Sequence, residues 1–96
     1  MTKGSNVITG RMSRLNLQRF IDRQLRENSN IRANIYETIR RRYGVDDATP
    51  AELEAMTRES GDTTSAHLLI AARLLISASD ALTHANVNLT LERVTL

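Results

Sequence analysis

The hydrophobic positions in the first half of the chain recur at helical spacing. From Ser13 to Tyr43 there is no Gly or Pro. Leu17, Phe20, Ile21, Leu25, Ile31, Ile35, Ile39 and Tyr43 fall on one arc of about 140° when each residue advances about 100°. The phase survives the polar run Asn28-Ser29-Asn30, which predicts one continuous helix. Two helices meeting there, with Asn28 or Ser29 as a cap, is the competing reading. Asn28 lies within the apolar arc, where a lone polar residue sets register and partner number between packed helices. Gly44 suits the left-handed closing position of this helix, and Arg40, Arg41 and Arg42 complement the dipole of its last turn.

Val45-Asp46-Asp47-Ala48 then forms a short connection. Thr49-Pro50-Ala51-Glu52 has the capping-box pattern with Pro at the first helical position. It starts a helix expected from Pro50 to Glu59, ending at Gly61. Asp62, Thr63 or Thr64 caps the next helix, expected to reach about Ala85.

That last helix is apolar almost all round. Leu68, Leu69, Ile70, Leu74, Leu75, Ile76 and Leu82 are joined by Ala66, Ala71, Ala72, Ala78, Ala81 and Ala85, leaving a narrow polar stripe of Arg73, Ser77, Asp80 and His84. Such a helix calls for burial on nearly every side. One long and one short helix do not cover it, so a homodimer or higher oligomer is expected. Leu68, Ile70, Leu74, Leu75, Ile76 and Leu82 are its candidate interface, with two-fold symmetry the commonest closure. In the tail, Val87, Leu89 and Leu91 alternate with polar residues, and Val94 and Leu96 do so again after a slip. This is a strand pattern, although a tail packed on the helices also fits. The expected fold is therefore mainly α: a bundle of three to four helices over residues 11–86, in an intertwined oligomer. Residues 1–10 are expected to form a flexible or extended arm, and residues 87–96 an extended C-terminal tail.

At 96 residues the chain is one domain with a modest core. It has no Cys, which removes disulfides and thiolate chemistry. Its N-terminus has no apolar run of signal-peptide length. The apolar stretch from Leu68 to Ile76 is interrupted by Arg73 and is too short to span a bilayer. A soluble, cytoplasmic protein with no membrane partner is expected. Charge is unevenly placed: residues 1–43 carry ten basic side chains against three acidic, and residues 44–96 carry three against eight. Either the basic half meets an acidic partner, or the halves neutralise each other within a chain or across a dimer.

Candidate chemistry is sparse. His67 and His84 sit on different faces of one helix and lack the close spacing of a metal pair. Asp80 and His84 are helical neighbours, read as a surface pair rather than half of a catalytic dyad. Asp46-Asp47 lacks calcium-loop spacing, and the four glycines stand alone, so no phosphate loop is present. No catalytic residue, cofactor or metal is assigned, and no enzymatic activity is expected. The remaining candidate is basic: Arg19, Arg23 and Arg26 form a stripe, joined by the Arg40, Arg41 and Arg42 cluster. These six are the candidate partner- or nucleic-acid-binding residues. Against that stands a solvated face tied by Arg19–Asp22, Asp22–Arg26 and Arg23–Glu27 pairs. No helix–turn–helix signature accompanies the stripe.

The leading expectation is a non-enzymatic helical interaction protein: a small regulator, an adaptor or chaperone, or a subunit of a larger assembly. Its partners would be itself and a further, unidentified protein. The alternative is an oligomeric regulator that binds DNA or RNA through the Arg-rich face.

Overall fold

The structure, a computed structural model, describes residues 13–95. The arm expected over residues 1–10 lies outside them. The described residues form three helices and no strand: α1 (Arg14–Tyr43), α2 (Pro50–Ser60) and α3 (Thr63–Thr95).

Helix α1 runs unbroken for 30 residues, through the Asn28-Ser29-Asn30 segment. Ser13 caps it, its hydroxyl accepting the Asn16 N–H at 3.1 Å. Gly44 closes it at φ 68°, a conformation glycine adopts without steric cost. Arg40 then bends the following connection back, its Nε donating to the Ala48 carbonyl at 2.8 Å. Helix α2 begins with the expected reciprocal box. The Glu52 N–H reaches the Thr49 hydroxyl at 3.2 Å, and the Glu52 carboxylate accepts the Thr49 N–H at 2.7 Å. That N–H, and after it the Thr49 side chain, holds the Glu52 carboxyl below its ordinary pKa.

Gly61 ends α2, again at φ 68°. Asp62 then starts α3 by accepting the Ser65 N–H at 3.0 Å. The same carboxylate accepts the Tyr43 hydroxyl at 2.8 Å and lies 3.4 Å from Arg42. It thereby ties the end of α1 to the start of α3. Its pKa falls from an ordinary 3.8 to about 2, through the Ser65 hydroxyl and N–H first, then Tyr43, then Arg42. The fully buried Ser65 hydroxyl reaches hydrogen-bond geometry with no partner, so it acts on the carboxylate as a neighbouring dipole.

The extended tail expected from residue 87 is corrected: α3 continues to Thr95. After Gly61 the sequence holds no Gly or Pro, so nothing stops the helix at Ala85. Leu82, Asn86 and Leu89 stand at helical spacing, and Leu89 is buried. The alternation of Val87, Leu89 and Leu91 was a coincidence of two periods. Helical packing of Leu89 wins over a strand that has no partner.

Because α2 is short, α1 and α3 lie antiparallel along each other. Asn28 Nδ2 donates to Ser79 Oγ at 3.4 Å near the middle of both helices. The molecule is long and flat, 56 × 32 × 17 Å. One end is a three-helix head, where Ile39, Ala48, Leu53 and Leu69 form the core, flanked by Tyr36, Tyr43, Val45 and Met56. Arg73 holds α2 to α3 through a two-pronged ion pair with Glu54. The other end is a two-helix arm without α2, in which Ile21 and Leu89 are buried.

Candidate interaction face

Helix α3 carries a seven-residue repeat that is hidden by its overall apolarity. Ser65, Ala72, Ser79 and Asn86 recur at that interval, with Ser65 and Ala72 fully buried and Ser79 bonded to α1. Leu68, Leu75, Leu82 and Leu89 stand three residues further on. Ala71, Ala78 and Ala85 stand one residue before each small position. Small residues at the centre let α1 approach closely, so Leu68, Leu75 and Leu82 sit at the edge of the contact and are only partly covered by it, while Leu89 is buried. Ala78 and Ala85 are exposed beyond them, and Leu74, beside Leu75, is 64% exposed. From Leu68 to Leu89 this side of α3 carries no charge.

The α1 helix extends the same face. Ile31, Asn34, Ile35 and Thr38 join Leu68 around an open notch of about 190 Å³, which fixes that edge of α1 beside the leucine edge of α3. Phe20 is in phase with Glu27, Ile31 and Thr38 on the helix, so one exposed carboxylate interrupts this edge, and Leu17 lies one turn before Phe20. Phe20 is 43% and Ile31 48% exposed. Helix α2 covers the opposite side of the α1–α3 pair, where a groove of about 280 Å³ is lined by Thr57, Ala66, Leu69 and the Glu54–Arg73 pair. Nothing among the described residues covers the Leu/Ala side.

Of the six interface residues expected from sequence, Leu68, Leu74, Leu75 and Leu82 therefore share one face. Ile70 is exposed at the rim of the α2–α3 groove, and Ile76 lies on the α2 side, so those two point elsewhere. The sequence pattern places Phe20 and Ile31 on an apolar arc, and marks Ala71, Ala78 and Ala85 only as part of a general set of small residues that lets helices approach closely. The seven-residue Leu/Ala interval is the signal that marks those alanines.

The six arginines divide in the same way. Arg19, Arg23 and Arg26 are exposed, and none forms an ion pair within the described chain. The expected local pairs with Asp22 and Glu27 do not form; Glu27 instead accepts from Gln24 at 3.2 Å. Arg40, Arg41 and Arg42 are about 20 Å further along the helix, at 1.5 Å per residue. Each is engaged there: Arg40 with Ala48, Arg41 with Glu37 at 3.3 Å, and Arg42 with Asp62. The two clusters do not form one patch.

His67 and His84 each donate from Nδ1 to the carbonyl four residues earlier, at 2.7 and 2.8 Å. His84 thus bonds the Asp80 backbone and not its carboxylate. No group of three or more His, Asp or Glu among the described residues is placed to hold a metal. Helix α3 is also longer and more apolar than the Leu68–Ile76 stretch implied. Thr63–Glu92 is long and apolar enough to cross a membrane; its most apolar 18 residues have a mean hydropathy of 1.3, and 11% of them are buried.

Comparison with protein-family models, with curated proteins and with solved structures finds no match. The face is read from its own chemistry.

Proposed function

We propose that this chain is a non-catalytic helical interaction module that works as an oligomer. It would serve as a small regulator, an adaptor or chaperone, or a subunit of a larger assembly. The observation that carries this reading is α3: an apolar helix of 33 residues with only 11% of its most apolar stretch buried. Burying a Leu or Ile side chain is worth roughly 1.5–3 kcal/mol, so a continuous row of such residues favours a protein covering. A bilayer covers it less well. Arg73 and Asp80 lie inside the stretch, and each charge at a bilayer centre costs about 2.5–3.5 kcal/mol. Arg73 is moreover committed to Glu54 on α2.

Sedimentation velocity of the full chain over low to high micromolar concentration tests the reading. The expected result is a dimer or larger species that dissociates on dilution. A monomer at every concentration removes it, and partition of that monomer onto neutral lipid vesicles would assign the face to a membrane.

A second reading rests on Arg19, Arg23 and Arg26, three unpaired guanidiniums on one stripe. Such a stripe suits phosphates, each contact adding a salt-dependent increment to affinity. Fluorescence anisotropy with generic duplex and single-stranded DNA and RNA is expected to show binding that weakens steeply with salt. Changing all three to Gln then flattens that dependence. No binding at low salt ends this reading and leaves the stripe as a solvated or protein-facing surface.

A further inference from the structure

Resting on the self-association proposed above, we infer that the occupant of the Leu/Ala face is a second copy of this chain, packed antiparallel, with Phe20 of each copy seated in the notch of the other. The face has the size such a dimer needs. The repeat covers about 32 Å of α3 at 1.5 Å per residue, and two helices about 8–10 Å apart are about 17 Å wide, so the face offers on the order of 540 Å² per copy, about 1,100 Å² in all, just above the ~1,000 Å² that a specific interface clears.

The orientation follows from the features along that face. The Leu/Ala repeat runs from Leu68 to Leu89, and its midpoint falls at Ala78 and Ser79. Ser79 lies opposite Asn28. On α1, Phe20 is eight residues before Asn28, about 12 Å, and the centre of the notch at Asn34 and Ile35 is about 10 Å beyond it. Both midpoints meet at the Asn28–Ser79 level. A two-fold axis through that level brings Leu75 to the partner's Leu82 and Ala71 to the partner's Ala85. Ala78 faces its own copy, where small side chains permit close approach. The same rotation carries Phe20, the one Phe of the chain, onto the notch lined by Ile31, Asn34, Ile35, Thr38 and Leu68. A parallel two-fold sets each α1 over the partner's α3, with Phe20 near the level of the partner's Val87, and leaves both notches empty, which forfeits packing on every unfilled wall.

The chain has no native Cys, so single Cys variants report the orientation cleanly. In the full chain, Ala78→Cys is expected to crosslink to itself with a short bis-maleimide reagent. Ala71→Cys and Ala85→Cys are expected to crosslink to each other when mixed, and neither to itself, because an antiparallel pair sets like residues about 20 Å apart. Phe20→Ala is expected to weaken self-association at least about tenfold with helix content unchanged, since the side chain is already half-exposed in the monomer. Self-crosslinking of Ala71→Cys and of Ala85→Cys, without the mixed product, overturns the antiparallel orientation while self-association stands. A dimer that none of the three variants crosslinks overturns the face. A monomer in sedimentation instead removes the reading beneath it.

Discussion

Replacing Leu53 by Ala is expected to cost about 2–5 kcal/mol of stability. Leu53 is fully buried and closes α2 onto Ile39, Ala48 and Leu69. Truncation removes the transfer energy of the side chain and leaves a cavity, because both a neighbour and Leu53's own helix are anchored from outside. Ala48 is fixed by the Arg40 hydrogen bond, and α2 is fixed by the Glu54–Arg73 pair. A domain of this size has a total stability of roughly 5–14 kcal/mol, so one methyl-for-isobutyl change removes a large part of it. Urea unfolding followed by far-UV circular dichroism reads the effect as a lower midpoint at an unchanged slope. Leu74→Ala is the control: Leu74 is 64% exposed in the monomer, and under conditions of dissociation its cost stays within about 0.5 kcal/mol. A Leu53→Ala cost below that of Leu74→Ala would place the core elsewhere.

The head was legible in the sequence because its signals are local. Gly44 and Gly61 end helices through their own backbone freedom, and Thr49-Pro50-Ala51-Glu52 begins one through atoms within four residues. The continuity of α1 was legible as well, since Ile31, Ile35 and Ile39 keep the phase set by Ile21 and Leu25. Asn28, read as a polar residue on a packed seam, does meet a polar partner, Ser79 on α3.

The arm was less legible, for two physical reasons. Helix α3 is apolar all round, so its angular preference cancels, and only the repeat of Leu68, Leu75, Leu82 and Leu89 against Ser65, Ala72, Ser79 and Asn86 shows which side meets α1. Its C-terminal third also offered two periods at once. Val87, Leu89 and Leu91 fit a strand, and Leu82, Asn86 and Leu89 fit a helix. Local propensity does not choose between them; packing does, since Leu89 is buried in the arm, as Ile21 is on α1. The arginines carried a similar ambiguity. Arg40, Arg41 and Arg42 form the densest positive run in the sequence, yet Ala48, Glu37 and Asp62 engage them in turn. The less conspicuous Arg19, Arg23 and Arg26 remain unpaired.

Changing Ala78 to Glu is expected to separate association from folding. Ala78 is exposed in the single chain, and Glu is nearly as good a helix former as Ala, so the monomer loses only a few tenths of a kcal/mol. In a two-fold dimer centred at this position the introduced carboxylates meet each other within an apolar face that carries no charge from Leu68 to Leu89. Like charges brought together in an interface cost several kcal/mol, and a cost of about 3 kcal/mol corresponds to a more than 100-fold rise in Kd. The expected result is a helical monomer by sedimentation and circular dichroism at concentrations where the parent chain associates. Its thermal midpoint no longer rises with protein concentration, because mass action stabilises only a chain that associates. If this variant associates as tightly as the parent, the contact between copies lies off the Leu/Ala stripe, and Ile70, Ile76 and Leu91 on the remaining exposed sides of α3 become the next residues to change.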